Sequence, residues 1–210
     1  MCVLAWATSS SHAHDFWLDA DSLRIENSGP VTVWVRGGHY FPASAIALAD
    51  RLVAALTVEI PGEAPQSLAT EAGSKERRGS FTPDPARLQR LSLVIQQPRQ
   101  ATPTAWARLY IVPVNTATDP ATYAAGTGLE IVPRTKLETI AVNTPIAFEV
   151  LRDGKPVAAR IEFVAAAGGT GWASAKPEKP GEFIARKSGR HLALVSEGGQ
   201  TATLVFEVSP

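Results

Sequence analysis

Short segments of alternating polarity, separated by turns that contain glycine and proline, constrain the fold of this chain most strongly. Between the turn at residues 27–30 and the pair Gly37-Gly38, the valines of residues 31–36 alternate with polar and aromatic residues. This period of two is typical of a half-buried strand. Similar segments recur along the 210 residues, and no amphipathic helix longer than two turns is indicated. About seven short strands at such spacing are typical of an immunoglobulin-like sandwich. We therefore predict an all-β protein with two immunoglobulin-like β-sandwich modules in tandem.

The turn-rich residues 119–128 separate two groups of these segments. We predict a signal-peptide remnant over residues 1–13, an N-terminal β-domain over residues 14–132 and a C-terminal immunoglobulin-like β-domain over residues 133–210. Within the first domain we expect residues 22–25 and 31–36 to form a hairpin, and the strands over 91–95 and 106–112 to face each other. The alanine-rich residues 43–55 could carry a short helix, and the charged, polar residues 63–87 should form a solvated loop.

The overall charge gives no sign of a nucleic-acid or anionic-lipid partner. Lysine plus arginine and aspartate plus glutamate each number 20, so the formal net charge is zero. Binding to nucleic acid or to an anionic membrane surface normally requires a basic face. We therefore expect neither partner.

The N-terminus resembles the end of an export signal. Residues 1–13 read MCVLAWATSSSHA, an apolar segment followed by small residues. Cleavage sites of the small-x-small type end at Ala7 and at Ala13, and we favour the second. The mature chain would then begin with His14 and would lack Cys2, the single cysteine. No later segment approaches the roughly 18 apolar residues of a membrane span. We therefore expect a periplasmic or secreted protein that has no membrane-spanning segment.

Histidines offer the clearest candidate chemistry. The four are His12, His14, His39 and His191. A mature N-terminal His14 could bind one metal ion through both its α-amine and its imidazole Nδ1. His39, which follows Gly37-Gly38, could add a third nitrogen and give the T-shaped or square-planar geometry that Cu(II) and Ni(II) prefer. Asp15, His191 or a water could complete the site.

Purely structural interpretations of the same residues stay open. A histidine in a Gly-Gly-His-Tyr turn is often only a capped loop residue, and His191 could lie on the surface of a strand. No nucleophile elbow, zinc-protease motif, phosphate-binding loop or dinucleotide fingerprint is present. We therefore expect no enzymatic activity, with metal binding by His14 and His39 as the leading hypothesis for the N-terminal domain. The alternatives are a copper histidine-brace enzyme or copper carrier and a metal-free surface or adhesion module.

Two motifs resemble a known family of exported proteins. Residues 13–18 (AHDFWL), followed by Gly38-His39-x-Phe41-Pro42, resemble the NikM/NikK-like proteins of nickel and cobalt uptake systems. Residues 128–133 (GLEIVP), 153–157 (DGKPV) and Pro180-Gly181 extend the resemblance over nearly all of the mature chain. The resemblance implies a periplasmic protein that binds nickel or cobalt, with copper also possible, through His14 and His39. It also implies a membrane metal-uptake transporter as partner.

Overall fold

The computed structural model describes residues 15–210. These residues form seventeen strands and three single-turn 3-10 helices. The strands of the first half are β1 (Asp15–Ala20), β2 (Arg24–Ile25), β3 (Val31–Gly38), β4 (Val53–Glu59), β5 (Gln66–Ser67), β6 (Glu71–Ala72), β7 (Glu76–Phe81), β8 (Gln89–Ile95) and β9 (Ala105–Pro113). Those of the second half are β10 (Leu129–Pro133), β11 (Pro145–Arg152), β12 (Lys155–Pro156), β13 (Ala159–Ala165), β14 (Thr170–Ala175), β15 (Gly181–Ile184), β16 (Gly189–Glu197) and β17 (Gln200–Val208). The 3-10 helices span Asp50–Leu52, Pro120–Thr122 and Leu137–Thr139.

Three sheets form the described part of the chain. The largest has nine strands in the order β14-β13-β16-β17-β9-β8-β4-β5, with β2 added beside β9. A second sheet has the order β1-β3-β7-β6, and a third consists of β10, β11, β12 and β15. The prediction of an all-β protein built of β-sandwich modules is confirmed.

The two smaller sheets pack on opposite faces of the large sheet, as strand β9 shows. Ala107, Leu109 and Ile111 belong to a core shared with β1 and β3. The alternate residues Trp106, Tyr110 and Val112 belong to a second core shared with β10 and β11. Because successive side chains of a strand point to opposite faces, β9 contributes to both cores and is buried from Trp106 to Pro113.

Strands β9 and β17 connect the two sandwiches. They pair in parallel, from Ala105 opposite Thr201 to Leu109 opposite Val205. Beyond the predicted domain boundary after residue 132, β10 pairs with β11. The boundary itself stays a prediction. Hydrogen bonding between β9 and β17 joins the two predicted domains.

Two local predictions for the first half are wrong. Residues 31–38 do not form a hairpin with residues 22–25, because β3 pairs with β1 and β7 whereas β2 pairs with β9. The buried side chains of Leu23 and Ile25 explain this, since they belong to the core between β3 and β9. Residues 63–87 are not all loop, because the charged segment Glu76–Phe81 forms strand β7. The facing of β8 and β9 is confirmed as an antiparallel pair.

No helix in residues 15–210 is long and apolar enough to cross a membrane. Residues 43–55 contain the single-turn 3-10 helix Asp50–Leu52 and the start of β4 instead of the short helix expected there.

Candidate metal-binding groove

His39 lies at the start of a loop that folds back on strand β3. The carbonyl of Gly37 accepts hydrogen bonds from the backbone N–H groups of Ala45 (2.8 Å) and Ile46 (3.1 Å). The N–H of Ala43 donates to the carbonyl of Tyr40 (2.8 Å), and the Phe41–Pro42 peptide bond between them is cis. These bonds hold residues 37–46 as a compact loop that exposes His39.

Strand β1 places Asp15 beside this loop. In the antiparallel register of β1 and β3, Asp15 is opposite Gly38 and Phe16 is opposite Gly37. The Phe16 ring lies against Gly37, where a Cβ atom would come within 2.6 Å of it. Later in the loop, the Phe41 ring packs edge-on against the Trp17 ring at a centroid distance of 5.7 Å. Residues 15–18 of the first motif therefore adjoin the second motif, residues 38–42, with Asp15 directly opposite Gly38.

An open groove of about 260 Å³ runs between this corner and the large sheet. One wall consists of Asp15, Trp17 and residues 38–41. The other wall comes from the second half of the chain and is formed by Glu162, Val164, Thr170, Leu192 and Leu194. The groove therefore combines an imidazole and two carboxylates with apolar and aromatic walls, and none of its described lining residues is lysine or arginine.

The two carboxylates of the groove interact electrostatically. Burial raises the pKa of Glu162, and the negative charge of Asp15 raises it further, while Arg160 lowers it. A nearby cation would favour the ionised form of Glu162, as Arg160 does. The indole N–H of Trp17 is buried and has no hydrogen-bond partner among the described residues.

A charged network fixes β1 over the large sheet. The buried carboxylate of Asp19 on β1 accepts hydrogen bonds from Arg36 of β3 (2.5 Å) and from Arg190 at the start of β16 (2.6 Å). The Thr203 hydroxyl of β17 donates to the Phe16 carbonyl (2.7 Å). The contacts with Arg190 and Thr203 join residues more than 150 positions apart, and they hold β1 against β16 and β17.

The predicted metal ligands have different outcomes. His14 lies outside the described residues, as does His12. His39 and Asp15 line the same groove. Within residues 15–210 there is no group of three or more His, Cys, Asp or Glu side chains arranged to hold a metal ion. Binding by His14 and His39 therefore stays a prediction, and any complete ligand set would have to include residues beyond those described or ligands that the ion brings.

His191 lies on the opposite face of the large sheet from His39. Its neighbour Leu192 lines the groove, and the alternation along β16 turns His191 towards the other core. There its ring stacks on Phe206 at 5.5 Å, and its Nδ1–H donates to the carbonyl of Gly189 (3.1 Å). Burial lowers the pKa of His191, although the bond to Gly189 raises it. His191 therefore does not complete a site with His39.

Sequence reasoning missed Glu162 and the donor on Trp17. Glu162 stands in the strand ARIEFVA, where alternation could have assigned it to the face opposite Ile161 and Phe163. No local signal identifies the segment, more than 120 residues away, that this face meets. Trp17 lies in the core at 1% exposure.

The fold and the groove together define an all-β protein of two joined sandwiches, with a histidine and two carboxylates at an open groove between the loop after β3 and the large sheet. Residues 11–191 match the family described as "Domain of unknown function (DUF4198)". Because this match covers most of the chain, the protein belongs to that family. The family description names no ligand and no activity.

Comparison with solved structures gives only distant similarities. Salmonella alpha-2-macroglobulin is 11% identical with a TM-score of 0.29, and the match covers 93% of this chain and 16% of that one. The Escherichia coli adhesin FdeC is 16% identical with a TM-score of 0.27 (96% and 65% coverage). A two-domain fibronectin type III segment of chicken tenascin is 12% identical with a TM-score of 0.28 (93% and 100% coverage). At these TM-scores the similarities assign no function. No curated protein matches the chain.

Proposed function

We propose that this protein is an exported binding protein that captures a divalent transition metal ion, nickel or cobalt, for an uptake transporter. The ligands in this proposal are the N-terminal amine and imidazole of His14 and the imidazole of His39. The proposed compartment is the periplasm or the cell exterior. The proposal extends the resemblance of residues 13–18 and 38–42 to the proteins of nickel and cobalt uptake systems.

One observation carries the proposal, namely the pairing of Asp15 with Gly38. His14 precedes Asp15 in the sequence and His39 follows Gly38, so the two proposed ligands adjoin one pair of facing residues.

The surrounding charges favour a cation at this position. Asp15 and Glu162 supply negative charge, and no described lysine or arginine lines the groove, although Arg160 outside the lining offsets part of this charge. An amine and two imidazoles must be unprotonated to bind, so affinity should fall as the pH is lowered. Capture and release by such a site require no bond-making chemistry.

Calorimetry of the exported protein tests this proposal. N-terminal sequencing first establishes whether the mature chain starts at His14. Titration with Ni(II), Co(II), Cu(II) and Zn(II) should then show one site in the wild type and at least a tenfold weaker site in His39→Ala. His191→Phe is the matched control, because that ring lies on the opposite face of the sheet and should not affect binding. Equal affinities in wild type and His39→Ala would exclude His39 as a ligand and refute the proposal, whereas absence of binding to the wild type would favour a metal-free surface or adhesion module.

A copper histidine-brace enzyme is the second candidate, and the exposure of Tyr40 favours it. This ring is 81% exposed and adjoins His39 at the groove, where it could contact a flat substrate. Incubation of the copper-loaded protein with a reductant and insoluble polysaccharide distinguishes the two functions. Oxidised oligosaccharides would support the enzyme, whereas tight nickel or cobalt binding without such products would support the carrier.

A further inference from the structure

The second sandwich contains a cavity of about 410 Å³ between strands β14 and β15. The two strands are bridged at Lys176 and Lys179. Beyond this bridge they belong to different sheets, because β14 pairs with β13 of the large sheet and β15 pairs with β11 of the third sheet. Cavities of about 300–1,000 Å³ with mostly apolar and aromatic walls are typical of small-molecule sites. The size and position of this cavity therefore suit a small ligand.

Aromatic rings form the inner wall of the cavity. Phe163 stacks on Phe183 at a centroid distance of 4.1 Å, and the His191 ring lies at 6.1 Å from the Phe183 ring. Gly171 brings the backbone of β14 against the same ring, since a Cβ atom there would lie 2.7 Å from Cε2 of Phe183. Because aromatic rings pack favourably against one another, this wall favours an aromatic ligand.

Two large apolar side chains of the cavity lining are exposed. Trp172 is 50% exposed and Ile184 is 40% exposed. In residues 15–210 the large exposed hydrophobic residues are Tyr40, Val114, Trp172 and Ile184. Half of them therefore lie at this cavity, and apolar surface that is grouped in this way marks interaction sites.

His191 supplies a hydrogen-bond acceptor to the cavity that it lines. Its Nδ1–H donates to the Gly189 carbonyl (3.1 Å), and its Nε2 has no hydrogen-bond partner among the described residues. Although the residue is 2% exposed, Nε2 is not among the unpaired side-chain atoms that are sealed from solvent in that part of the chain, so its accessible surface opens to the cavity. Burial lowers the pKa of His191, so the ring is neutral at pH 7 and Nε2 can accept a hydrogen bond from a ligand.

The exposed part of the lining carries more positive than negative charge. Arg186 donates to the amide oxygen of Asn143 (3.0 Å), and Lys187 donates to the carbonyl of Ala167 (2.9 Å). Neither cation forms an ion pair with a carboxylate of the described residues. Glu182 is the one carboxylate of the described lining. Because the two cations outnumber it, the lining favours a ligand with a negative charge.

We infer that this cavity binds a small aromatic anion that also carries an O–H or N–H donor. The aromatic part packs against Phe163 and Phe183, and the anionic group lies at Arg186 and Lys187. The donor is directed to Nε2 of His191. Phe163 and His191 face away from the metal-binding groove, so this second site goes beyond the proposed function and does not depend on it.

Fluorescence titration with 2-anilinonaphthalene-6-sulfonate tests the inference, because this probe combines aromatic rings, a sulfonate and an N–H donor. We expect one saturable site on the exported protein. Arg186→Gln/Lys187→Gln should weaken this site about fivefold or more, the order of magnitude that one exposed charge pair contributes. His191→Phe keeps the ring but removes Nε2, and loss of one hydrogen bond should also weaken binding about fivefold. The matched control is Lys136→Gln/Lys155→Gln, which removes two exposed cations outside the cavity lining.

Competition by two ligands with the same ring tests the charge preference. 3-Phenylpropionate should displace the probe, whereas 2-phenylethylamine should not. Thermal unfolding checks that each variant folds, and the exposed pair Arg186 and Lys187 keeps the test valid if His191→Phe does not. The inference is overturned if the wild type shows no saturable binding, if the charge variant binds the probe as tightly as the wild type, or if the amine competes as well as the acid. Sedimentation of a dimer that excludes the probe would also overturn it, and would assign the surface to a second copy of the chain.

Discussion

Replacing Gly37 by alanine should destabilise the protein at the base of the His39 loop. A Cβ atom at this position would lie 2.6 Å from Cδ1 and Cε1 of Phe16 and 3.2 Å from Cγ1 of Ile46. The ring must therefore move, or the strand must shift away from it. Overpacking of this kind typically costs about 1–3 kcal/mol. With a urea m-value of about 2 kcal/mol/M, the midpoint should fall by roughly 0.5–1.5 M.

Urea unfolding followed by tryptophan fluorescence measures this loss, and a double-mutant cycle identifies its cause. If the clash with the Phe16 ring is responsible, Phe16→Ala should relieve it. The loss in the free energy of unfolding of the double variant Gly37→Ala/Phe16→Ala should then be smaller than the sum of the two single losses by about 1 kcal/mol or more. Gly29→Ala is the control, since a Cβ atom there would have no neighbour within 4 Å and should change stability by about 0.5 kcal/mol at most.

The same substitution links stability to the proposed site. The Gly37 carbonyl accepts the two backbone hydrogen bonds that fold the loop back at Ala45 and Ile46. A shift of this strand should therefore move His39 and weaken nickel binding together with stability. An unchanged midpoint in Gly37→Ala, or strict additivity with Phe16→Ala, would refute the packing argument.

Three further predictions concern the second half of the chain. Burial lowers the pKa of His191 in the folded protein, so below about pH 6.5, the ordinary pKa of histidine, the unfolded state binds more protons than the folded state. Stability should therefore fall as the pH drops through that value, by at most about 1.4 kcal/mol per pH unit. Urea midpoints measured between pH 7.5 and 5 should show this fall in the wild type and not in His191→Phe. Phe163→Ala should cost about 3–5 kcal/mol in the same assay, because this ring is 1% exposed and stacks on Phe183 at 4.1 Å. Glu130→Gln should cost about 3–5 kcal/mol, because it removes the buried carboxylate that interacts with the buried Arg108, whereas an unchanged midpoint would mean that Arg108 is compensated elsewhere.

Much of the strand content could be predicted because it is local. The alternation in Val31–Gly38 and Gln89–Ile95 matches their burial patterns, and period-two patterns report directly on a half-buried strand. Strand β7 could not be recognised in this way, since its residues Glu76 to Phe81 include a glutamate and two arginines. Arg77 is nevertheless 8% exposed, because its guanidinium donates to Thr70, to Asp50 and to backbone carbonyls. Such compensation depends on partners that no local pattern shows.

Strand partners were harder to predict than strands. The chain does reverse between β1 and β3, but the turn signal at residues 27–30 did not show that β3 pairs with β1 rather than with residues 22–25. Asp153 and Gly154 form a turn after β11, but only Leu151 and Arg152 pair with the returning residues 155–156. The chain then crosses to the large sheet as β13, because Ile161 and Phe163 are buried against that core. Register and crossing depend on tertiary packing, which outweighs local turn signals.

The location of the groove follows from the burial of β9 and β17. Both strands bury side chains on two faces, so each requires a sheet above and below it. The sheet of β1 and β3 covers one face, and Leu192 and Val205 of the second half belong to the same core. Where this cover ends, beside Asp15 and His39, the uncovered side chains of β13 and β16 form the opposite wall. The groove beside Asp15 and His39 is therefore completed by residues of the second half of the chain, and Glu162 lines it although no sequence spacing connects this residue with the histidine motifs.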